Sequence, residues 1–111
     1  MRYLIEEYQD QRGNRPFGRW LQRLKDKRAQ ARILARLDRV ALGNLGDWKA
    51  LAGTDGVNEL RENHGPGYRV YFAFIEGRIV LLLAGSTKQD QSRAIKKADA
   101  ALADYRERMS E

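Results

Sequence analysis

Two short runs, Val57–Glu62 (VNELRE) and Tyr68–Ile75 (YRVYFAFI), carry arginine, glutamate and tyrosine at two-residue spacing. Successive side chains of a strand point to opposite sides, so Glu59 and Arg61 share one side of the first run, and Arg69 and Tyr71 share one side of the second. A guanidinium offers a planar fork suited to phosphate oxygens, a lysine a point charge, and a tyrosine a ring for base stacking plus a hydroxyl. Lys49 and Lys88 flank these runs. Such a set suits RNA cleavage without a metal, because RNA brings its own nucleophile, the 2′-hydroxyl. Protein groups need only align that oxygen with phosphorus, accept its proton, protonate the leaving 5′ oxygen and stabilise the added charge. The plainer alternative is structural: Arg61 and Arg69 pair with Glu59 and Glu62 across strands, Tyr71 closes over the sheet edge, and Lys49 and Lys88 are solvated.

Other chemistries lack parts. One histidine, no cysteine and no paired carboxylates on a helix face leave no metal-ligand spacing, and no cofactor is expected. The glycines fall in turns rather than in a phosphate-cradling motif, and His64 sits at a hairpin tip without a serine or carboxylate at fixed offset.

The balance of 21 Lys and Arg against 15 Asp and Glu gives a formal +6 and a pI near 9.9. That field favours polyanions, nucleic acid first and an acidic protein second. At 111 residues the chain is expected to be one domain spanning 1–111. Its longest apolar run, Ile79–Ala84, is far too short to cross a bilayer, which argues against a membrane partner. The opening MRYLIEEYQD has no apolar stretch of signal-peptide length, and the absence of cysteine suits a reducing cytoplasm.

The elements that must position these residues follow from periodicity. Arg2–Tyr8 alternates as a strand, and a helix begins at Arg15 or Pro16, with Phe17, Trp20, Leu21 and Leu24 as its apolar stripe. A second helix spans Lys27–Leu42, with Ile33, Leu34, Leu37, Val40 and Ala41 facing inward. Arg28, Arg32, Arg36 and Arg39 then form a basic ridge on another side, either an RNA-binding surface or a solvated face. Gly43, Asn44 and Gly46 end that helix. Asp47–Ala52 is a short strand leading into a three-strand meander over 57–62, 68–75 and 78–84, the last turn being Glu76-Gly77. In the middle run Tyr68, Val70, Phe72 and Phe74 face a core, leaving Arg69, Tyr71 and Ala73 on a side expected to meet solvent. Trp20 and Trp48 read as core anchors. Ser86 and Gln89 have capping-box spacing before a final helix carrying Ala94, Ile95, Ala98, Leu102, Tyr105 and Met109 at helical intervals. The expected class is α+β: a small antiparallel sheet meander with an N-terminal helical hairpin and a C-terminal helix.

The strings FGRWLQRLKDKRAQARILARLDRVALGNLGD, GDWKALAGTDGVNELRENHGPGYRVYF and IVLLLAGSTKQDQSRAIKKA resemble toxins of the RelE/ParE superfamily from toxin–antitoxin pairs, over nearly the whole chain. Within it the likeness is to the HigB-like branch of addiction module killer proteins. The resemblance implies a RelE-like fold and a cytoplasmic toxin that in many relatives cuts mRNA on the ribosome. It further implies neutralisation by a helix-turn-helix antitoxin encoded alongside, with operator DNA bound only through the antitoxin complex. The arginine of the GYR string is a catalytic position in RNA-cutting relatives and matches Arg69, a basic residue after the last strand matches Lys88, and Arg61 lies in the neighbouring ELR segment. Val57 and Glu59 stand where some relatives carry lysines, and Ala94 and Ile95 where a tyrosine or histidine is found.

These features lead to a ribosome-dependent, metal-free endoribonuclease in which Arg61 and Arg69 hold the phosphate, Lys88 adds charge or donates a proton, and Tyr71 positions a base or the 2′-hydroxyl. Lys49 or Glu59 would accept the proton. The alternatives are a non-enzymatic toxin that poisons DNA gyrase, as on the ParE side of the superfamily, and a degenerate antitoxin-binding module.

Overall fold

A computed structural model describes residues 1–110. Strand β1 (Leu4–Glu7) leads to α1 (Pro16–Arg23) and α2 (Lys27–Ala41). Strands β2 (Trp48–Ala50), β3 (Asn58–Glu62), β4 (Tyr68–Ile75) and β5 (Ile79–Thr87) follow, and a 3-10 turn at Lys88–Asp90 enters α3 (Gln91–Met109). The five strands form one sheet in the order β1-β5-β4-β3-β2. The meander from β2 to β5 is antiparallel, as expected, but β1 joins the far edge parallel to β5, pairing Leu4 with Ile79 and Glu7 with Leu82. The sheet is therefore mixed.

Local chemistry explains the boundaries. Pro16 occupies the first turn of α1, and the Asp26 carboxylate caps α2 by accepting from the backbone N–H of Arg28 and Ala29. Glu76 and Gly77 both take positive φ, 54° and 67°, the conformation of a two-residue hairpin turn, and close it through Arg78 N–H to Ile75 C=O. No capping box forms at Ser86 and Gln89: β5 runs through to Thr87, so Ser86 is a strand residue, and Asp90 precedes α3 without a side-chain cap.

The sheet is covered on both sides, which corrects the expectation that Arg69, Tyr71 and Ala73 face solvent. On one side α1 and α2 bring Phe17, Ala29, Ile33, Leu37 and Val40 against Leu60, Tyr68, Val70, Phe72, Val80 and Leu82. On the other α3 lays Ala94, Ala98, Ala101 and Leu102 over Tyr71, Ala73, Leu81 and Leu83. Small alanines let the α3 backbone approach the sheet closely, so both sides of β4 are buried from Tyr68 to Ala73. A register shift between Tyr71 and Phe72 leaves Leu83 without a paired residue and bends β5 beneath the helix.

Three residues expected in the core are exposed instead: Leu34 on α2, Met109 in the last turn of α3, and Trp48 on edge strand β2, 41% exposed although its ring meets Phe72 and Phe74. Trp20 is partly buried, its ring lying against the backbone at Gly85, where a Cβ would overlap it. Gly85→Ala is expected to destabilise the fold by about 1–3 kcal/mol through this overlap, measured as a lower urea midpoint with an unchanged slope.

Candidate functional site

Register places Arg61 directly opposite Arg69, and Glu59 opposite Tyr71 and Lys49. The two guanidiniums thus leave the same side of the sheet, the side under α3, and both reach one carboxylate. Arg61 Nε donates to Glu59 Oε2 at 3.0 Å, and Arg69 Nε lies 3.4 Å from the same oxygen. Gln91, the first residue of α3, donates to Glu59 Oε1 at 3.4 Å, so helix and sheet meet over this group. Its own hydrogen bond to the Glu59 carboxylate holds the Arg61 guanidinium above its ordinary pKa.

Arg69 is 6% exposed and Glu59 2%. Arg69 Nη1 donates to the Tyr68 carbonyl at 3.0 Å, while its Nε is the one buried side-chain atom without a hydrogen-bond partner among the described residues. The cluster is consequently closed in this conformation, with only Arg61 a third exposed at its side chain. Gly67, at φ 85°, leaves room above it: a Cβ there would lie 3.3 Å from Lys88 Cβ and 3.8 Å from Arg69 Nη1. Lys88 itself is exposed, anchored by its backbone N–H to the Gly67 carbonyl.

Tyr71 does not close the sheet edge. Its ring is fully buried, and its hydroxyl lies 2.9 Å from Ser86 Oγ. Burial first, and the Glu59 charge after it, raise the phenol above its ordinary 10.0, so at neutral pH it is a hydrogen-bonding hydroxyl and no base. Ser86, expected as a capping-box residue, and Gln91, within the string after the last strand that carries the family resemblance, complete the cluster. Their signal in the sequence is position, one place before and one after the Thr87–Asp90 segment that links β5 to α3.

The ridge on α2 is divided. Arg28 and Arg39 are exposed, and Arg32 pairs with Glu62 at 3.1 Å, so Glu62 serves α2 rather than Arg61 or Arg69. Arg36 is no surface group: 8% exposed, it donates to the carbonyls of Leu45 (3.0 Å), Arg61 (2.8 Å) and Asp47 (2.7 Å) and approaches Glu62 at 3.5 Å. Gly46 makes this possible, since a Cβ at that position would stand only 3.0 Å from Arg36 Nε. Arg36 thereby ties α2 to the segment entering β2 and to β3. His64 is a loop residue, held 3.0 Å from the capping carboxylate of Asp26. Between α2 and the sheet lies a crevice of about 10 Å³, lined by Ile33, Leu37, Leu60 and Val70 and too small for a partner segment. No helix among the described residues is long and apolar enough to cross a membrane, and they contain no group of His, Asp and Glu arranged to hold a metal.

This element order, a helical hairpin on one side of a five-stranded sheet and a C-terminal helix on the other, is the fold of the RelE toxins. A double mutant of E. coli toxin RelE in the free state superposes with a TM-score of 0.61 at 17% identity, covering 87% of this chain and 98% of that one. The family described as "Phage derived protein Gp49-like (DUF891)" matches residues 19–108, and the chain belongs to it; this is a RelE-like toxin family. An uncharacterised protein of Haemophilus influenzae is 46% identical over 82 residues, covering 74% of this chain and 81% of that protein.

Three outcomes follow from the geometry. Lysine cannot direct donors to three carbonyls at once, so Arg36→Lys is expected to lower stability by about 1–3 kcal/mol, read from chemical denaturation. In an alkaline ultraviolet titration Tyr71 ionises later than an exposed tyrosine, and Tyr71→Phe removes one late-titrating group. The Tyr8 phenol, pushed up to about 12 by burial and then by its bond to Asp104, behaves alike. Its folded value is the raised one, so its contribution to stability is complete below pH 10 and is lost as pH rises through about 12.

Proposed function

We propose that this chain is the toxin of a type II toxin–antitoxin system, on the HigB-like branch, and that it cuts mRNA on the ribosome with the RNA 2′-hydroxyl as nucleophile. The observation that carries this reading is the convergence of Arg61 and Arg69, from facing positions on β3 and β4, on a single buried anion. A carboxylate between two guanidiniums occupies the place that a phosphodiester would take, and the spare Nε of Arg69 is a donor without an acceptor. Substrate entry then requires the Glu59 pairs to open, with the Gly67 turn and Lys88 moving from above Arg69.

In the opened site Arg61 and Arg69 hold the scissile phosphate and its developing charge, and Tyr71 donates a neutral hydrogen bond. Glu59, released from the guanidiniums, accepts the 2′-hydroxyl proton, being the carboxylate nearest to both; Lys49 stays outside, tied in only through strand pairing. Lys88, exposed at the rim, protonates the leaving oxygen or stabilises it. The exposed Arg28, Arg32 and Arg39 of α2 supply a phosphate-binding flank on the ribosome, whereas Arg36 contributes only to the fold. No metal or other cofactor enters the scheme, and Tyr71 stands in for the aromatic group missing at Ala94 and Ile95. A cytoplasmic helix-turn-helix antitoxin would keep the toxin silent and carry the complex to operator DNA.

The closure of the cluster favours two competing readings, a non-enzymatic toxin and an antitoxin-binding module, in both of which Glu59, Arg61 and Arg69 merely stabilise the sheet. Induced expression with primer extension on a reporter mRNA separates them. Wild type is expected to cut and arrest growth, and Arg69→Ala to lose on the order of 10²-fold in cleavage rate. Growth arrest with intact mRNA and gyrase-linked DNA breaks would establish the non-enzymatic toxin; no arrest with the antitoxin still bound would establish the binding module.

A further inference from the structure

A large cleft lies outside the Arg61–Arg69 cluster. About 530 Å³ in volume, it opens between α1, the end of β5 and the first turns of α3, with Trp20 and Gly85 in its wall. That is within the roughly 300–1,000 Å³ of sites that enclose a small-molecule-sized group. Arg19 and Arg23 enter it from α1, Arg93 and Lys97 from α3, all four exposed and none in an ion pair among the described residues. Two carboxylates also line it. Asp10 is already engaged by the backbone N–H groups of Arg12 and Asn14 and by the Asn14 amide, and Asp90 precedes α3. Arg19 is steadied by donating to Asn14 Oδ1 at 2.8 Å.

The cations in and beside the cluster are paired, two to each carboxylate: Arg61 and Arg69 with Glu59, Arg32 and Arg36 with Glu62. Those in the cleft are not, so a polyanion gains more there, where no internal pair must first be broken. The two places are connected. Ser86 lines the cleft and bonds the Tyr71 hydroxyl, which stands in the cluster opposite Glu59.

We infer that this cleft is a second RNA subsite, binding the phosphodiester backbone of a single strand one or more nucleotides away from the bond held at Arg61 and Arg69. The inference rests on the RNA-cutting reading for its choice of polyanion. Three of the four cations are arginines, suited to bidentate phosphate contacts, and Trp20 supplies an apolar wall beside them. An acidic extended peptide is the rival occupant, because β1 pairs with β5 only as far as Leu82 and leaves the end of β5 with a strand on one side alone.

The test is fluorescence anisotropy of a labelled oligouridylate across a salt series. It compares wild type, the cleft pair Arg23→Ala/Arg93→Ala, and a charge-matched pair, Arg2→Ala/Arg78→Ala, at the other end of the sheet. All four residues are exposed, so both variants keep the fold. The cleft pair is expected to bind about tenfold or more weakly, with a salt slope shallower by about 0.7 for each phosphate it no longer neutralises, and the control pair to bind as wild type. Equal weakening in both pairs, or none in either, overturns the inference. So does tighter binding of a polyglutamate peptide than of RNA through the same residues, which would assign the cleft to an acidic partner. The outcomes separate from those of the nuclease reading: RNA bound through the cleft without mRNA cleavage by wild type removes that reading and keeps this one. Cleavage by the cleft pair at the wild-type rate with unchanged affinity does the reverse.

Discussion

Strand β4 is buried on both sides from Tyr68 to Ala73, and that constraint governs what its polar groups can do. A charged side chain leaving such a strand has no water to meet, so it must find its counter-charge on the neighbouring strand or leave the sheet altogether. Arg69 finds Glu59, and Glu59 is then also within reach of Arg61, two residues along its own strand. One carboxylate facing two guanidiniums leaves the group short of acceptors, which is why Arg69 Nε has no bond. Tyr71 meets the same demand with Ser86.

Arg36 shows the same physics used for architecture. Its fork reaches carbonyls on three separate residues and so reinforces the backbone bond from Arg61 N–H to the Asp47 carbonyl at the approach to β2. The glycine at 46 leaves the space for it. Removing such a group exposes several acceptors at once, whereas the exposed Arg28 and Arg39 on the same helix can be replaced without any buried atom losing its partner. Four arginines at helical spacing thus have two unrelated roles, and only burial tells them apart.

Much of the fold is legible in the sequence because it is encoded locally. Strand β4 reads residue for residue from its alternation, α2 to within one residue of its end from periodicity and glycines, and the Glu76-Gly77 turn from its two residue types. What stays hidden depends on distant partners. The alternation of β4 is apolar on one side and Arg, Tyr, Ala on the other, a pattern that usually marks a solvated face. Its cover, α3, is apolar chiefly through alanine, too weak a signal to announce a buried layer. The parallel pairing of β1 joins residues far apart along the chain, and no local motif reports it. At the candidate site the facing of Arg61 and Arg69 follows from strand register, but their closure by Glu59 and Gln91 does not, since Gln91 arrives from the next element. The cleft is invisible for the same reason: its cations come from α1 and α3, some seventy residues apart in the sequence.

The arrangement separates paired from unpaired cations along one path through the molecule. Inside, guanidiniums are held close to a carboxylate in surroundings of low dielectric, where a pair is strong and exchange of its anion is slow. Outside, at the mouth of the cleft, cations are solvated and available at once. A flexible polyanion arriving at such a surface would first engage the outer charges, where little desolvation is needed, and so raise its own effective concentration beside the closed pair. Displacing Glu59 then becomes an intramolecular step, opposed by the buried ion pair but favoured by interactions already made. Under the proposed reading a closed site beside an open basic cleft is self-consistent: the inner cluster would open only to a ligand long enough to hold both places.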